Sequence, residues 1–274
     1  MNKTVLITGT STGLGRTTAR HFAKNQWNVI ATMRRPDEET ELNTLENILV
    51  TRLDVQNQST ITEAIEAGIK RFGRIDALIN NAGFGLFGVF EATPRAKIQE
   101  QFDVNVFGVM DVIRTILPHF RANKGGTILN VGSGAGVFTL PMLSLYCASK
   151  FALEGFTEAL SYELASQGIK VKMIEPGGVI STNFGKRSAA EAAHSASIPD
   201  YDEFIAKTNA VFAGLRGQRL ATEEQVAEVI YGAATDGTDN LRYVATEDIQ
   251  PLVKARRETS EPEYLAFMRS RFAT

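Results

Sequence analysis

The chain has 274 residues, of which 43% are hydrophobic, and its formal net charge is -2. Basic and acidic residues are interspersed, so no basic stripe is available for a phosphate backbone, and we expect no nucleic-acid partner. The single cysteine, Cys147, excludes an internal disulfide framework. With only three histidines in the chain it also excludes a Cys/His zinc cluster, so no metal site is expected.

The beginning of the chain predicts a soluble, cytoplasmic protein. Met1–Thr4 leads directly into an apolar segment and leaves no room for the charged and apolar regions of a signal peptide. No apolar run reaches the length of a membrane span, so we expect no membrane partner.

Short β-branched runs alternate with segments of helical periodicity along the chain. Strands are predicted at Thr4–Thr8, Asn28–Thr32, Ile48–Leu53, Ala77–Asn80, Thr127–Val131, Val171–Glu175 and Leu241–Ala245. The alternation predicts βαβ units, and the nearly continuous apolar character of the runs predicts helices on both faces of the sheet. The predicted fold class is α/β: a single doubly wound, Rossmann-type domain over residues 1–274, with a seven-stranded, mostly parallel sheet.

The regular pattern loosens beyond about residue 180. Ser188–Ser197 is rich in alanine and serine, and a helix-start signal returns only at Thr222-Glu223-Glu224-Gln225. Because the stretch follows a strand that should border the ligand crevice, residues 183–220 are interpreted as a substrate lid. A surface insertion without a role is the alternative. Residues 251–274 are interpreted as an amphipathic tail that closes over the site or forms a subunit interface.

A glycine-rich turn, Gly9–Gly15, lies between the first predicted strand and a helix that extends to about Lys24. Glycine permits a tight turn, and a helix N-terminus offers N–H groups to phosphates, so we expect a dinucleotide there. The expected contacts are Gly9, Ser11, Thr12, Gly13, Leu14 and Gly15. A purely structural turn is the alternative, because the spacing is Gly-x-x-x-Gly-x-Gly rather than Gly-x-Gly-x-x-Gly.

The end of the second predicted strand indicates which cofactor is bound. It has no carboxylate where NAD-binding folds place one, and Arg34 there suits a 2′-phosphate, which predicts NADPH. Asp37 and Glu38 are close by in the sequence, so NADH remains an alternative cofactor. Arg34 and Arg35 could also be solvated loop charges that bind no ligand. The third and fourth strands are expected to supply the adenosine contacts: Asp54, Val55, Asn81, Ala82 and Gly83.

Tyr146 and Lys150 lie four residues apart on a predicted helix and therefore face the same way. A free tyrosine has a pKa of about 10, and we expect the Lys150 ammonium to lower the pKa of Tyr146. Lys150 is also expected to hydrogen-bond a nicotinamide ribose. Ser133 ends the fifth strand, where its hydroxyl would orient a substrate carbonyl. Each residue alone has a structural explanation, but together they predict a carbonyl-reducing site.

These residues resemble the short-chain dehydrogenase/reductase family over nearly the whole chain. The matching motifs, in family order, are Gly9-Gly13-Gly15, Asn80–Gly83, Ser133, Tyr146-x-x-x-Lys150 and Pro176-Gly177. The resemblance implies that Tyr146 is the catalytic acid, Ser133 orients the substrate and Lys150 lowers the tyrosine pKa. It also implies that Asn105, otherwise interpreted as a helix-kink or packing residue, holds a water in a proton relay. It extends the cofactor-binding set to Tyr146, Lys150, Pro176, Gly177, Val179, Ser181 and Thr182.

The segment Tyr146–Gly155 is similar to the family branch that contains 17β-hydroxysteroid and retinol dehydrogenases. A bulky apolar ketone or aldehyde is therefore the expected substrate, with NADP(H) as the hydride partner. The expected substrate contacts are Ser133, Val137, Phe138, Leu140, Leu143, Tyr146, Gly178 and Phe184. Packing of the apolar members in the core is the competing interpretation.

Two other functions remain open: an NADP(H)-sensing regulatory protein without turnover, and a sugar-nucleotide epimerase or dehydratase. Family members usually pair through long helices, which here correspond to Pro94–Arg121 and Leu145–Ser166. We therefore expect a homo-oligomer, either a dimer or a tetramer.

Overall fold

A seven-stranded parallel sheet forms the centre of the protein. The computed structural model describes residues 2–179, 198–216 and 220–272. The spatial order of the strands is β3-β2-β1-β4-β5-β6-β7, and every neighbouring pair is parallel. The strands are β1 (Thr4–Thr8), β2 (Asn28–Met33), β3 (Ile48–Arg52), β4 (Ala77–Asn80), β5 (Gly126–Val131), β6 (Ile169–Glu175) and β7 (Arg242–Val244). The predicted α/β class and the seven strands are confirmed, with boundaries that differ from the prediction by two residues or fewer.

Helices cover both faces of this sheet. Those described are α1 (Gly13–Lys24), α2 (Gln58–Phe72), α3 (Arg95–Phe102), α4 (Gly108–Ala122), α5 (Ser144–Ala165), α6 (Asp202–Arg216), α7 (Glu223–Thr235), α8 (Gln250–Glu258) and α9 (Glu261–Phe272). A π-helical turn, Asp103–Phe107, joins α3 to α4. Across the described ranges, none of these helices has the length and apolarity needed to cross a bilayer.

Two apolar cores lie on opposite faces of the sheet. Helices α2, α4 and α5 bury residues such as Ile61, Val112 and Leu160 against one face. Helices α1 and α7 bury residues such as Phe22 and Ile230 against the other. The strands contribute to both cores, which explains why their sequences are apolar at nearly every position.

The start of α7 forms as its sequence predicts. Gln225 donates its backbone N–H to the Thr222 hydroxyl at 3.3 Å, and the Thr222 N–H donates to the Gln225 side-chain oxygen at 2.9 Å. This reciprocal capping box satisfies two N–H groups that the helix cannot pair internally.

The strand order reverses between β1 and β4, which places a crevice beyond their carboxyl ends. Adjacent loops carry the glycine-rich turn after β1 and Ser133 after β5. The candidate functional residues are therefore brought to one edge of the sheet.

The described part of the predicted lid contacts the loop that follows β4. The rings of Phe212 and Phe87 meet edge to face with centroids 5.6 Å apart, and Tyr201 donates its hydroxyl to Glu91 at 2.9 Å. Residues 183–197 and 217–219 of that prediction lie outside the described residues.

The C-terminal tail packs against the segment that precedes α5. Tyr264 and Met268 of α9 are buried in one apolar cluster with Val137 and Phe138. The Thr139 N–H donates to the Tyr264 hydroxyl at 3.4 Å. The tail therefore covers the chain between Ser133 and Tyr146.

Candidate active site

The glycine-rich turn after β1 has a backbone that other residues cannot easily adopt. Gly9 and Gly13 have φ angles of +73° and +59°, in the left-handed region that favours glycine. A Cβ on Gly15 would lie 2.2 Å from the Gly9 carbonyl oxygen and 2.4 Å from Asn81 Nδ2. The turn therefore depends on glycine both for its conformation and for its close packing.

Asn81 connects this turn to the end of β4. Its side-chain amide donates to the carbonyls of Thr8 and Gly9 at 2.9 and 3.1 Å. The Thr8 hydroxyl in turn accepts the N–H groups of Asn81 and Ala82, both at 3.0 Å. Asn81 therefore holds the turn in shape, and its place beside the adenosine stays a prediction.

The N-terminus of α1 fits the phosphates of a dinucleotide. Ser11 and Thr12, which directly precede α1, are exposed. Within the described residues no side chain caps this helix end. Unpaired N–H groups and the helix dipole favour an anion there. Gly13 and Leu14, also predicted to bind the cofactor, form the first turn of the same helix.

A pocket of about 250 Å³ lies between the N-terminus of α1 and the end of β2. Ser11, Thr12 and Arg34 line it from these two sides. Arg35 is ion-paired with Glu38 at 2.8 Å. Arg34 is exposed, and the described part of the chain offers it no ion-pair partner.

The same pocket contains an ion pair that the sequence motifs do not single out. Arg16 binds the buried carboxylate of Glu39. It also binds the exposed carboxylate of Glu41 at 3.0 Å. Glu39 accepts the N–H groups of Glu41 and Leu42, at 2.9 and 3.0 Å. Burial opposes ionisation of Glu39, but these hydrogen bonds and the Arg16 charge hold its pKa below the ordinary value. The position of Arg16, directly after Gly15, is the signal that could have found it.

Asp54 and Val55 follow β3, the outer strand of the sheet, at its carboxyl end. Asp54 accepts the Gln56 N–H at 3.1 Å. Val55 is 7% exposed and belongs to the core beneath α4. A Cβ on Gly108 would come within 2.8 Å of Val55, so the valine is closely packed there.

Ser133 and Tyr146 meet at the carboxyl end of β5. The Ser133 side chain lies beside the Tyr146 phenol, and its oxygen accepts the Ala135 N–H at 3.1 Å. Burial raises the pKa of Tyr146 to about 12, while the neighbouring Ser133 hydroxyl acts in the opposite direction. The structure thus holds the tyrosine as a protonated phenol.

Lys150 lies one helical turn beyond Tyr146. Its ammonium donates to the Val131 carbonyl at 2.9 Å and lies 5.8 Å from the centroid of the Tyr146 ring. Burial lowers the pKa of Lys150 to about 8. The expectation that the Tyr146 pKa is lowered overall is wrong for this arrangement, because burial raises it. The ammonium faces the ring and the Val131 carbonyl, so burial dominates both groups.

Asn105 is buried in the π-helical turn between α3 and α4. Its side chain accepts the Phe84 N–H at 3.0 Å and donates to the Phe84 carbonyl at 2.8 Å and to the Ser149 hydroxyl at 3.1 Å. A Cβ on Gly83 would lie 3.1 Å from Asn105 Oδ1 and 3.9 Å from Lys150 Nζ. Asn105 is thus a packing residue in an irregular turn, and Gly83 lies beside both its amide oxygen and the Lys150 ammonium. π-helical turns often occur at functional sites.

The loop after β6 is held by two residues that the sequence motifs do not indicate. The Gly177 N–H donates to the Thr246 hydroxyl at 2.9 Å, and the Gly178 N–H donates to Asp248 at 2.8 Å. Both partners follow β7, so their place at the same sheet edge is the signal that could have found them. The Pro176 carbonyl accepts the Gly134 N–H at 2.8 Å, which joins this loop to the Ser133 segment. Val179 pairs with Ala221, whereas Ser181, Thr182 and Phe184 lie outside the described residues.

The apolar residues predicted to contact the substrate divide into two groups. Val137 and Phe138 are buried with the C-terminal helices, and Leu140 packs against the same cluster. Leu143 instead packs against Tyr146 and Cys147. The competing interpretation, core packing, therefore describes Val137 and Phe138, while Leu143 lies next to the tyrosine.

Comparison with known proteins identifies the family. Residues 3–192 match the family model described as short chain dehydrogenase. The chain belongs to the short-chain dehydrogenase family. It is accordingly an oxidoreductase of that family, with the fold and the order of motifs found in its sequence.

Two relatives show the breadth of the similarity. The chain is 40% identical to an uncharacterized oxidoreductase of Schizosaccharomyces pombe, over 85% of this chain and 97% of the relative. It is 33% identical to human 17-beta-hydroxysteroid dehydrogenase type 1, over 92% of this chain and 80% of the relative.

Solved structures of the family have the same architecture. A short-chain dehydrogenase from Streptomyces avermitilis superposes with a TM-score of 0.83 at 28% identity and covers 98% of this chain and 97% of its own. ElxO with NADP bound superposes with a TM-score of 0.74 at 28% identity, covering 89% of this chain and 98% of its own.

Proposed function

We propose that this family member reduces a bulky apolar ketone or aldehyde with NADPH. The observation that carries the proposal is the convergence of Ser133 and Tyr146 at the carboxyl end of β5, with Lys150 one helical turn away. A phenol that stays protonated near neutral pH is the form required to give a proton to a carbonyl oxygen.

The proposal assigns the cofactor to the α1 turn and the Arg34 pocket. The Gly9–Gly15 turn would bind its pyrophosphate, and Lys150 with the loop after β6 would bind its nicotinamide end. Arg34 supports NADPH because, among the described residues, it has no carboxylate partner, whereas Arg16 and Arg35 do. ElxO, a similar family member, binds NADP. When bound, the cofactor supplies the hydride.

The chain's own residues handle the proton and the carbonyl. The Ser133 hydroxyl orients the carbonyl oxygen beside the phenol of Tyr146, which donates its proton to that oxygen as negative charge develops. Lys150 holds positive charge behind the phenol and stabilises the phenolate that remains. Asn105 fixes the turn beside the ammonium and, in the proposed relay, binds the water that returns the proton.

An apolar substrate is supported by the residues near the entrance. Leu143 packs beside Tyr146, and Phe87 and Phe212 meet where α6 contacts the loop after β4. Apolar and aromatic linings are typical of sites for hydrophobic ligands. Human 17-beta-hydroxysteroid dehydrogenase type 1, a relative at 33% identity, is named for a bulky apolar substrate class.

We also propose that residues 183–220 form a substrate lid and that the protein pairs through α4 and α5. For the lid, the Tyr201–Glu91 and Phe87–Phe212 contacts connect α6 to the loop after β4. For pairing, Phe151 on α5 remains 38% exposed, an apolar surface that a second copy would cover.

The test is a screen of NADPH oxidation against steroids, retinoids, quinones, keto esters and aryl ketones. Turnover of at least one apolar carbonyl, faster with NADPH than with NADH, is the expected result. Tight NADPH binding without oxidation on any of them would instead favour a regulatory protein that senses the cofactor.

A further inference from the structure

A buried acidic group lies one helical turn beyond Lys150 on the catalytic helix. Tyr146, Lys150 and Glu154 are spaced at four-residue intervals on α5, so their side chains project from the same face. Glu154 is 7% exposed. Carboxylates are rarely buried so deeply without a partner that offsets the loss of hydration.

The Glu154 side chain lies beneath the loop that carries Ser133. A Cβ on Gly136 would be 3.0 Å from Glu154 Cγ, and a Cβ on Gly132 would be 3.3 Å from its Oε1 oxygen. Two glycines therefore leave the space that the carboxylate occupies. Through these contacts Glu154 touches the Ser133 loop directly, and it shares α5 with Lys150.

Charged groups from three other elements meet this carboxylate. Arg242 of β7 donates to Glu154 at 3.0 Å and also binds Glu158, on the exposed side of α5. Glu175, fully buried at the end of β6, lies 3.6 Å from Arg242 and 2.5 Å from Arg257 of α8. Among the described residues, these and Lys150 are the charged groups that face Glu154.

One oxygen of the Glu154 carboxylate has no hydrogen-bond partner among the described residues, so its negative charge can act on Lys150. Among the described residues, neither Glu154 Oε1 nor Glu175 Oε2 has a hydrogen-bond partner. Burial and the Glu175 charge raise the pKa of Glu154 to about 7, while Arg242 and Arg257 act in the opposite direction. The Glu154 charge in turn raises the pKa of Lys150 against the effect of burial.

We propose that Glu154 is a positioning residue whose carboxylate holds Lys150 in its ammonium form, and that Arg242 keeps this carboxylate ionised. The proposal rests on the proposed reduction, because it assigns a group that supports the proton donor. It also gives β7 and the C-terminal helices an electrostatic connection to the reacting end of α5.

Competitive acylation measures the proposed effect without substrate or cofactor. The whole protein is labelled with acetic anhydride over a range of pH, and the acylated fraction at Lys150 is measured by peptide mass spectrometry. The midpoint of labelling reports the pH at which Lys150 loses its proton. In Glu154→Gln and Glu154→Ala the midpoint should fall by about one pH unit, because an opposite charge that favours the ammonium is removed. Glu154→Asp, which keeps the charge, should restore most of the shift.

Glu158→Gln is the matched control. Glu158 lies on the same helix and binds the same arginine, but it is two turns from Lys150 and its side chain is 42% exposed. In Glu158→Gln the labelling midpoint of Lys150 should equal that of the unmodified protein. An unchanged midpoint in Glu154→Gln and Glu154→Ala, or an equal shift in Glu158→Gln, would overturn the proposal.

Turnover provides a second reading. The decline of kcat/KM at high pH should move to lower pH in Glu154→Gln and stay in place in Glu158→Gln. If the unmodified protein reduces no carbonyl while the labelling shift is present, the proposed reduction fails and the link between Glu154 and Lys150 stands.

Discussion

The Ser133 side chain lies beside the Tyr146 phenol although the two residues are thirteen positions apart in the chain. Ser133 follows β5, and Tyr146 lies in the first turn of α5. The intervening segment turns at Gly134–Gly136, after which Val137 and Phe138 are buried against the C-terminal helices. The two residues are thus positioned by a strand end, a helix start and the tail that covers the chain between them.

Arg34→Gln should weaken NADPH binding by about 10- to 100-fold, because a charge-assisted hydrogen bond to the 2′-phosphate is lost. NADH, which lacks that phosphate, should bind nearly as before. Fluorescence titration with both cofactors measures the two dissociation constants.

Arg35→Gln is the control for this change, since Arg35 is already paired with Glu38. Equal losses of NADPH and NADH affinity in Arg34→Gln would contradict the assignment of the phosphate to Arg34.

Gly15→Ala should destabilise the protein by about 1–3 kcal/mol, because the new methyl group would overlap the Gly9 carbonyl and the Asn81 amide. It should also impair cofactor binding, since the turn must shift to make room. Gly232→Ala, at an exposed position of α7 with nothing within 4 Å, should instead stabilise by about 0.5–1 kcal/mol. Thermal melts of both variants test the difference, and similar melting temperatures would show that the turn tolerates a side chain.

Acidification should destabilise the protein through His119. Burial lowers the pKa of His119, and its Nε2 accepts the Ile75 N–H at 3.0 Å, which requires an unprotonated nitrogen. The unfolded chain takes up the proton near the ordinary histidine pKa of about 6.5. The contribution of neutral His119 to the free energy of unfolding is therefore present above that pH and is lost as the pH falls below it.

Urea melts at about pH 7.5 and 5.5 measure this loss. The loss of unfolding free energy between these two pH values should shrink in His119→Gln, whose amide oxygen can still accept the Ile75 N–H. The loss should remain in His21→Gln. Identical pH dependence in His119→Gln and the unmodified protein would show that another group is responsible.

The fold was predictable because its signals are local. The β-branched runs, the glycine turn and the Thr222 capping box each determine an element within a few residues, and parallel strands bring their carboxyl ends to one edge. Ser133, Tyr146 and Lys150 were identifiable for the same reason.

Features that depend on distant packing were not predictable. The direction of the Tyr146 pKa depends on how deeply the phenol is buried, and the position of the Lys150 ammonium depends on the Val131 carbonyl nineteen positions away. The links from Thr246 and Asp248 to the loop after β6 join chain segments about seventy residues apart. No motif or periodicity records such contacts.

Tyr146→Phe tests the central claim most directly. The variant keeps the ring and its packing but removes the proton donor. Steady-state turnover on a carbonyl accepted by the unmodified protein should fall by about 10³-fold, while the NADPH dissociation constant stays nearly the same. Tyr162→Phe, at an exposed tyrosine of the same helix, is the control and should keep full activity. Turnover by Tyr146→Phe equal to that of the control would contradict the account.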